Sequence, residues 1–159
     1  MSQELLIKNV LDTWNSNIAR TDALFNTLSN EQLENEVAPG RNRGIYLLGH
    51  LTAVHDRMLP LLGLGQQLYT HLDDTFITKP DKAITDMPST EDLRDNWKEV
   101  NAKLAEQFAT MQPEDWFKRH TSVSEEDFAK EPHRNRLNIM ISRANHLSYH
   151  LGQLAFLKK

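Results

Sequence analysis

Four segments of this 159-residue chain carry apolar residues at helical spacing, and this pattern constrains the fold more than any other feature. They cover about residues 3–28, 43–62, 90–111 and 135–157, and no stretch of comparable length alternates as a strand does. In the third segment Leu93, Trp97, Val100 and Leu104 recur at three-four spacing, which places them on one helix face. Because each apolar face must be buried against another helix, the sequence predicts an all-α fold, a four-helix bundle.

The connections between these segments predict the order in which the helices pack. Ser29 and Gln32 form a capping-box pattern, which predicts a short helix that ends before Pro39. Residues 63–88 are too many for a tight turn, and at about 3.3 Å each they easily span a helix of roughly 30 Å. We interpret them as a crossover, so that the second and third helices run parallel. A second long connection covers residues 112–134, and both are expected to cover the bundle near its histidines.

Composition restricts the class of protein. Hydrophobic residues make up 39% of the chain and charged residues 25%, and there are no repeats or linkers, which predicts one globular domain over residues 1–159. No apolar run approaches the roughly 20 residues of a membrane span, and a leader peptide is not recognisable, so we expect a cytoplasmic protein. The net charge of −4 gives no basic surface for nucleic acid. With no cysteine, a metal must be held by His, carboxylate, carbonyl or water.

Three histidines stand out as candidate metal ligands. His146 and His150 are four residues apart on the last helix, so their Cβ atoms lie roughly 6 Å apart on one edge, which Gln153 continues. His50 occupies a position on the second helix where the pattern calls for an apolar residue. Three His ligands with an open coordination position are typical of a catalytic metal site. The alternative is two surface histidines and one core histidine bonded to a carbonyl, because His-x-x-x-His is a short pattern.

The neighbouring residues exclude some kinds of chemistry. A zinc protease helix reads His-Glu-x-x-His, but Leu147 follows His146 here, so the general base of such a protease is absent. Either water or an external nucleophile activated by the metal does the work, or the site only binds. His55 lies about 140° around the helix from His50 and cannot face the same ion. Arg43 is a candidate for binding an anionic substrate, although a surface salt bridge is its default role.

Two motifs carry a resemblance to a known family. The first motif is Tyr46-Leu47-Leu48-Gly49-His50-Leu51, preceded by Val-Ala-Pro-Gly, and the second is His146-Leu147-Ser148-Tyr149-His150-Leu151-Gly152-Gln153. The chain resembles the DinB/YfiT-like superfamily over essentially its whole length. The resemblance implies a four-helix bundle with an up-down-down-up course and a long crossover between helices 2 and 3. It also implies that His50, His146 and His150 are the ligands of a divalent ion, Ni²⁺ or Zn²⁺.

The same resemblance implies an activity. Similar proteins include thiol-dependent transferases and isomerases, so we expect a metal-dependent enzyme that acts on a small-molecule substrate. In a thiol S-transferase of this kind, the metal would activate either water or an external thiol. The external thiol would be a low-molecular-weight thiol that serves as cosubstrate. A metal-dependent hydrolase and a non-catalytic, stress-associated metal-binding module are the alternatives. Relatives of this kind also suggest a homodimer, for which the sequence offers only the apolar residues 59–64. Neither nucleic acid nor a membrane is expected as a partner.

Overall fold

The computed structural model describes residues 2–158, and every regular element in that range is helical. The α-helices are α1 (Gln3–Thr27), α2 (Asn30–Leu33), α3 (Gly44–Asp56), α4 (Met58–Leu61), α5 (Thr90–Thr110), α6 (Glu125–Lys130) and α7 (Arg136–Leu154). A π-helical turn covers Asp74–Thr78, and 3₁₀ turns cover Pro113–Phe117 and Ala155–Leu157. Residues 2–158 contain isolated β-bridges but no strand, so the predicted all-α class is confirmed.

Side-chain caps fix where the long helices begin. Ser2, Ser89 and Asn135 each have an extended backbone and accept a hydrogen bond from the backbone N–H three residues later. These bonds satisfy amides that have no partner within the helix. Ser29 and Gln32 form the predicted capping box at the start of α2. The starts of α1, α5 and α7 consequently lie within a residue of the positions expected from the sequence.

The second predicted helix is interrupted. The sequence pattern runs without a break over residues 43–62, whereas α3 ends at Asp56 and α4 follows after Arg57. Pro60 explains the interruption, because proline has no N–H to donate and its ring crowds the carbonyl four residues earlier, that of Asp56. The Asp56 carboxylate accepts hydrogen bonds of 2.8 Å from the backbone N–H groups of Leu68 and Tyr69. These bonds tie the first long connection to the end of α3.

The core lies between two packed helix pairs, with α1 against α7 and α3 against α5. The apolar stripes read from the sequence supply it, and Leu47, Leu93, Leu147 and Leu154 are fully buried. His55 is also fully buried, with its ring centroid 4.7 Å from that of Trp14 and 5.0 Å from that of Trp97. It belongs to the core between α1, α3 and α5.

The first long connection reaches the middle of α3. Phe76, in the π-helical turn, is fully buried, and a Cβ added to Gly49 would lie 2.3 Å from its ring. Glycine at position 49 therefore allows this turn to approach the backbone of α3 beside His50. The second connection contacts the end of α4, where the backbone N–H of Thr121 donates a hydrogen bond to the carbonyl of Leu61. Within the described chain, no helix is both long and apolar enough to cross a membrane.

Candidate metal centre

His50 is oriented by the π-helical turn and by its own helix. Its Nδ1 atom lies 2.8 Å from the backbone carbonyl oxygen of Phe76. Tyr46, one helical turn earlier, stacks on the imidazole with the two planes only 9° apart, and its hydroxyl donates a hydrogen bond of 2.7 Å to the Lys79 carbonyl. Residues on both sides of the ring therefore hold it with Nε2 pointing away from the Phe76 carbonyl.

His146 and His150 occupy one edge of α7, as their spacing predicts. Their Nε2 atoms lie 3.1 Å apart. On the far side of the His150 ring, Nδ1 lies 2.7 Å from Oε1 of Gln153, and the Gln153 amide nitrogen donates a hydrogen bond of 3.1 Å to the Tyr149 hydroxyl. Gln153 thus orients His150 much as the Phe76 carbonyl orients His50.

The structure brings the three predicted residues together. His50 Nε2 lies 3.2 Å from His146 Nε2, and one ligand atom from each of the three histidines lies within 4.8 Å of the others. Imidazole nitrogens that each stand about 2.1 Å from one ion are roughly 3.0–3.4 Å apart in octahedral or tetrahedral coordination. The separations of 3.1 and 3.2 Å from His146 Nε2 fall in that interval, so the arrangement of the side chains is compatible with a shared divalent ion.

The hydrogen-bond partners determine which nitrogens carry lone pairs. A carbonyl oxygen only accepts, so Nδ1 of His50 and Nδ1 of His150 each donate a hydrogen, and in neutral rings their Nε2 atoms carry lone pairs. His146 Nε2 faces both of these lone pairs and has at most one hydrogen to donate. At least one of the two short nitrogen–nitrogen approaches therefore lacks a full hydrogen bond. A cation between the three nitrogens is compatible with this arrangement.

Burial keeps the three rings in the form that binds a metal. It lowers the pKa of His50 and of His150, and it lowers the pKa of His146 to about 4, with further contributions from His150, His50 and Arg143. All three imidazoles are consequently neutral at pH 7, as metal ligation requires. Nδ1 of His146 is buried with no hydrogen-bond partner among the described residues.

No carboxylate joins the histidine cluster within residues 2–158. This agrees with the sequence, where Leu147 occupies the position of the glutamate in a zinc protease helix. A chemical step at these histidines therefore has no neighbouring carboxylate to act as nucleophile, and it has no protein thiol because the chain contains no cysteine. Its nucleophile would come from a bound molecule.

The other residues considered in the sequence lie elsewhere. Arg43 forms a bidentate pair with Asp81, with Nη2 2.8 Å from Oδ1, and a second pair with Glu34. It is thus engaged in a salt bridge, its default role. His55 faces the aromatic core, away from the cluster, as its helical angle predicts. His71 and His133 lie exposed in the connections.

Two contributors to this site were not identified from the sequence. The Phe76 carbonyl comes from an aperiodic connection, so no sequence signal indicates it. Arg143 is different, because it precedes His146 by three residues and therefore shares its helix edge. The three-residue spacing from His146 could therefore have indicated Arg143 as a neighbour of the histidines.

A comparison with known families agrees with the motifs. A family model described as the DinB superfamily matches residues 13–154, which is most of the chain, so the protein belongs to this superfamily. No curated protein matches the sequence. Membership in the family and the three-histidine cluster are both compatible with binding of a divalent metal.

Proposed function

We propose that this protein holds a divalent ion, Ni²⁺ or Zn²⁺, at His50, His146 and His150 and acts on a small molecule as a thiol S-transferase. The observation that carries the proposal is the convergence of three Nε2 atoms, two of which have their lone pairs directed inward by Phe76 and Gln153. A divalent ion bound there supplies Lewis acidity, which lowers the pKa of a thiol or water that it contacts.

The remaining features of the site support an external nucleophile. The chain has no cysteine, and within the described residues the cluster has no carboxylate to serve as a base. A low-molecular-weight thiol brought in as cosubstrate would supply the sulfur that forms the new bond to the electrophile, and the thiol proton would depart with the group that this sulfur displaces.

We further propose that the four long helices follow the up-down-down-up course. Support comes from contacts at different levels along the helices. Asn17 of α1 donates to the Ala144 carbonyl of α7, and Gln32, just after α1, donates to the Leu157 carbonyl just after α7, as expected for parallel neighbours. Phe25 contacts Trp97, whereas Trp14 contacts Phe108, as expected if α1 and α5 are antiparallel.

The test is a metal-dependent activity screen. Protein stripped with EDTA and then reloaded with nickel or zinc is assayed for conjugation of small electrophiles with low-molecular-weight thiols. Turnover that needs both metal and thiol supports the transferase, whereas metal-dependent turnover with water alone identifies a hydrolase. Absence of turnover in a protein that binds the metal would reject the enzyme and leave a binding module. Exchanging the exposed His133 for alanine provides the matched control for His146→Ala.

A further inference from the structure

Arg143 is an arginine without an acidic partner close to the histidine cluster. It lies on α7 one turn before His146, and its side chain is partly buried. Its Nε atom is inaccessible to solvent and has no hydrogen-bond partner among residues 2–158. In the same range no carboxylate lies within salt-bridge distance of its guanidinium. Arg136 shares both properties, whereas Arg43, Arg57, Arg119 and Arg134 each have an acidic partner.

An unpaired, partly buried guanidinium is unfavourable by itself. Burial lowers the pKa of Arg143, and the nearby positive charge of Arg57 lowers it further. A guanidinium nevertheless stays charged in proteins, so the cost is not relieved by losing the proton. The Arg143 charge also lowers the pKa of His50 and of His146, which places it within electrostatic range of the cluster. A bound anion would relieve the repulsion on both sides.

The space for an anion is present. A cavity of about 460 Å³ is lined by hydrogen-bonding side chains from three parts of the chain, and its lining includes Arg57, Gln67, Thr121, Ser122 and Arg143. Arg57 shares its charge with Asp73, at 3.2 Å, so the cavity retains the uncompensated charge of Arg143. Pro60 and Leu61 supply an apolar wall. The volume suits a group of small-molecule size rather than a macromolecule.

We propose that Arg143, assisted by Arg57 and Ser122, binds an oxyanion group of the small-molecule substrate, a carboxylate or a phosphate, in this cavity. None of the three histidines lines the cavity, but Arg143 lies three residues before His146 on α7, so the bound anion would lie about one helical turn from the cluster. The planar fork of a guanidinium matches both groups in bidentate geometry. Arg143 is a binding and positioning residue in this scheme. The link to the substrate rests on the proposed function, whereas the anion site itself exists with or without a metal.

The experiment measures anion binding in metal-free protein. EDTA-treated wild type in chloride buffer is titrated calorimetrically with inorganic phosphate and, separately, with succinate, and the melting temperature is recorded with each. We expect the wild type to bind at least one anion and to melt at a higher temperature in its presence. Arg143→Gln should weaken that affinity at least tenfold and abolish the thermal shift. Arg134→Gln, which changes an arginine already paired with Glu131, should do neither.

The results separate this inference from the proposed function. Preference for phosphate or for succinate identifies the oxyanion. His150→Ala should leave anion binding intact. Wild type that binds anions but no metal would reject the proposed function and keep the anion site. Equal anion affinity in wild type and in folded Arg143→Gln, or no binding of either anion by wild type at millimolar concentration, would overturn the inference.

Discussion

The backbone carbonyl of Phe76 accepts a hydrogen bond of 2.8 Å from Nδ1 of His50. This bond directs the Nε2 lone pair of a helix α3 histidine toward the two histidines of α7. Outer partners of this kind fix the tautomer and ring orientation of metal-ligating histidines. The first long connection, which contains Phe76, is therefore part of the candidate metal centre.

Gly49→Ala should disturb this arrangement. The new Cβ would lie 2.3 Å from the fully buried Phe76 ring, so the turn must move away from α3 and take its carbonyl with it. We expect a loss of about 1–3 kcal/mol in the free energy of unfolding from overpacking and weaker metal affinity. Gly152→Ala is the control, because a Cβ there meets nothing within 4 Å and should stabilise α7 by about 1 kcal/mol. Equal metal affinity in both variants would contradict the role of Phe76.

Gln153→Leu should weaken metal binding without unfolding the protein. Gln153 accepts the hydrogen bond from Nδ1 of His150, and loss of such an outer partner typically lowers metal affinity about 10–100-fold. Tyr149→Phe removes only the partner of the Gln153 amide nitrogen and should have a much smaller effect. Isothermal titration with zinc compares the two variants. A Gln153→Leu affinity equal to that of Tyr149→Phe would argue against this role.

The sequence predicted the local parts of this account well. Periodic stripes identified α1, α5, α7 and the segment that contains α3 and α4, and the four-residue spacing of His146 and His150 defined one helix edge. The interruption at Arg57 was missed because the apolar pattern continues through Pro60, although proline itself is the physical cause.

Contacts between distant segments could not be read from the sequence. The Phe76 carbonyl is a backbone group in a connection without periodicity, so its position depends on how that connection packs against Gly49. Whether an arginine is paired also depends on the tertiary structure. Arg43 meets Asp81, 38 residues away, whereas Arg143 meets no carboxylate among the described residues.

His55 should make the protein sensitive to acid. Burial lowers its pKa from 6.5 to about 3, although a hydrogen bond with Asn101 partly opposes this. The folded state therefore binds fewer protons than the unfolded state between these values, and stability should fall as the pH drops from about 6.5 toward 3. Chemical denaturation of metal-free wild type and His55→Gln at several pH values tests this. The variant should lose stability less steeply, and identical slopes would exclude His55 as a cause.

The homodimer remains a prediction. Residues 59–64 supplied its only support in the sequence, but Leu59 and Leu62 are buried in the core, so this segment offers less apolar surface than its composition suggests. Light scattering should give twice the monomer mass if the chains dimerise. A monomer mass at working concentrations would reject the dimer and leave the metal centre unaffected.

The most direct test of the central claim counts the ions bound by each chain. Protein stripped with EDTA is titrated with nickel and with zinc, for wild type, His150→Ala and the control His133→Ala. We predict one ion per chain in wild type and in the control, and an affinity lower by about two orders of magnitude or more in His150→Ala. Wild type that binds neither ion, or His150→Ala that binds as tightly as the control, would contradict the three-histidine metal centre.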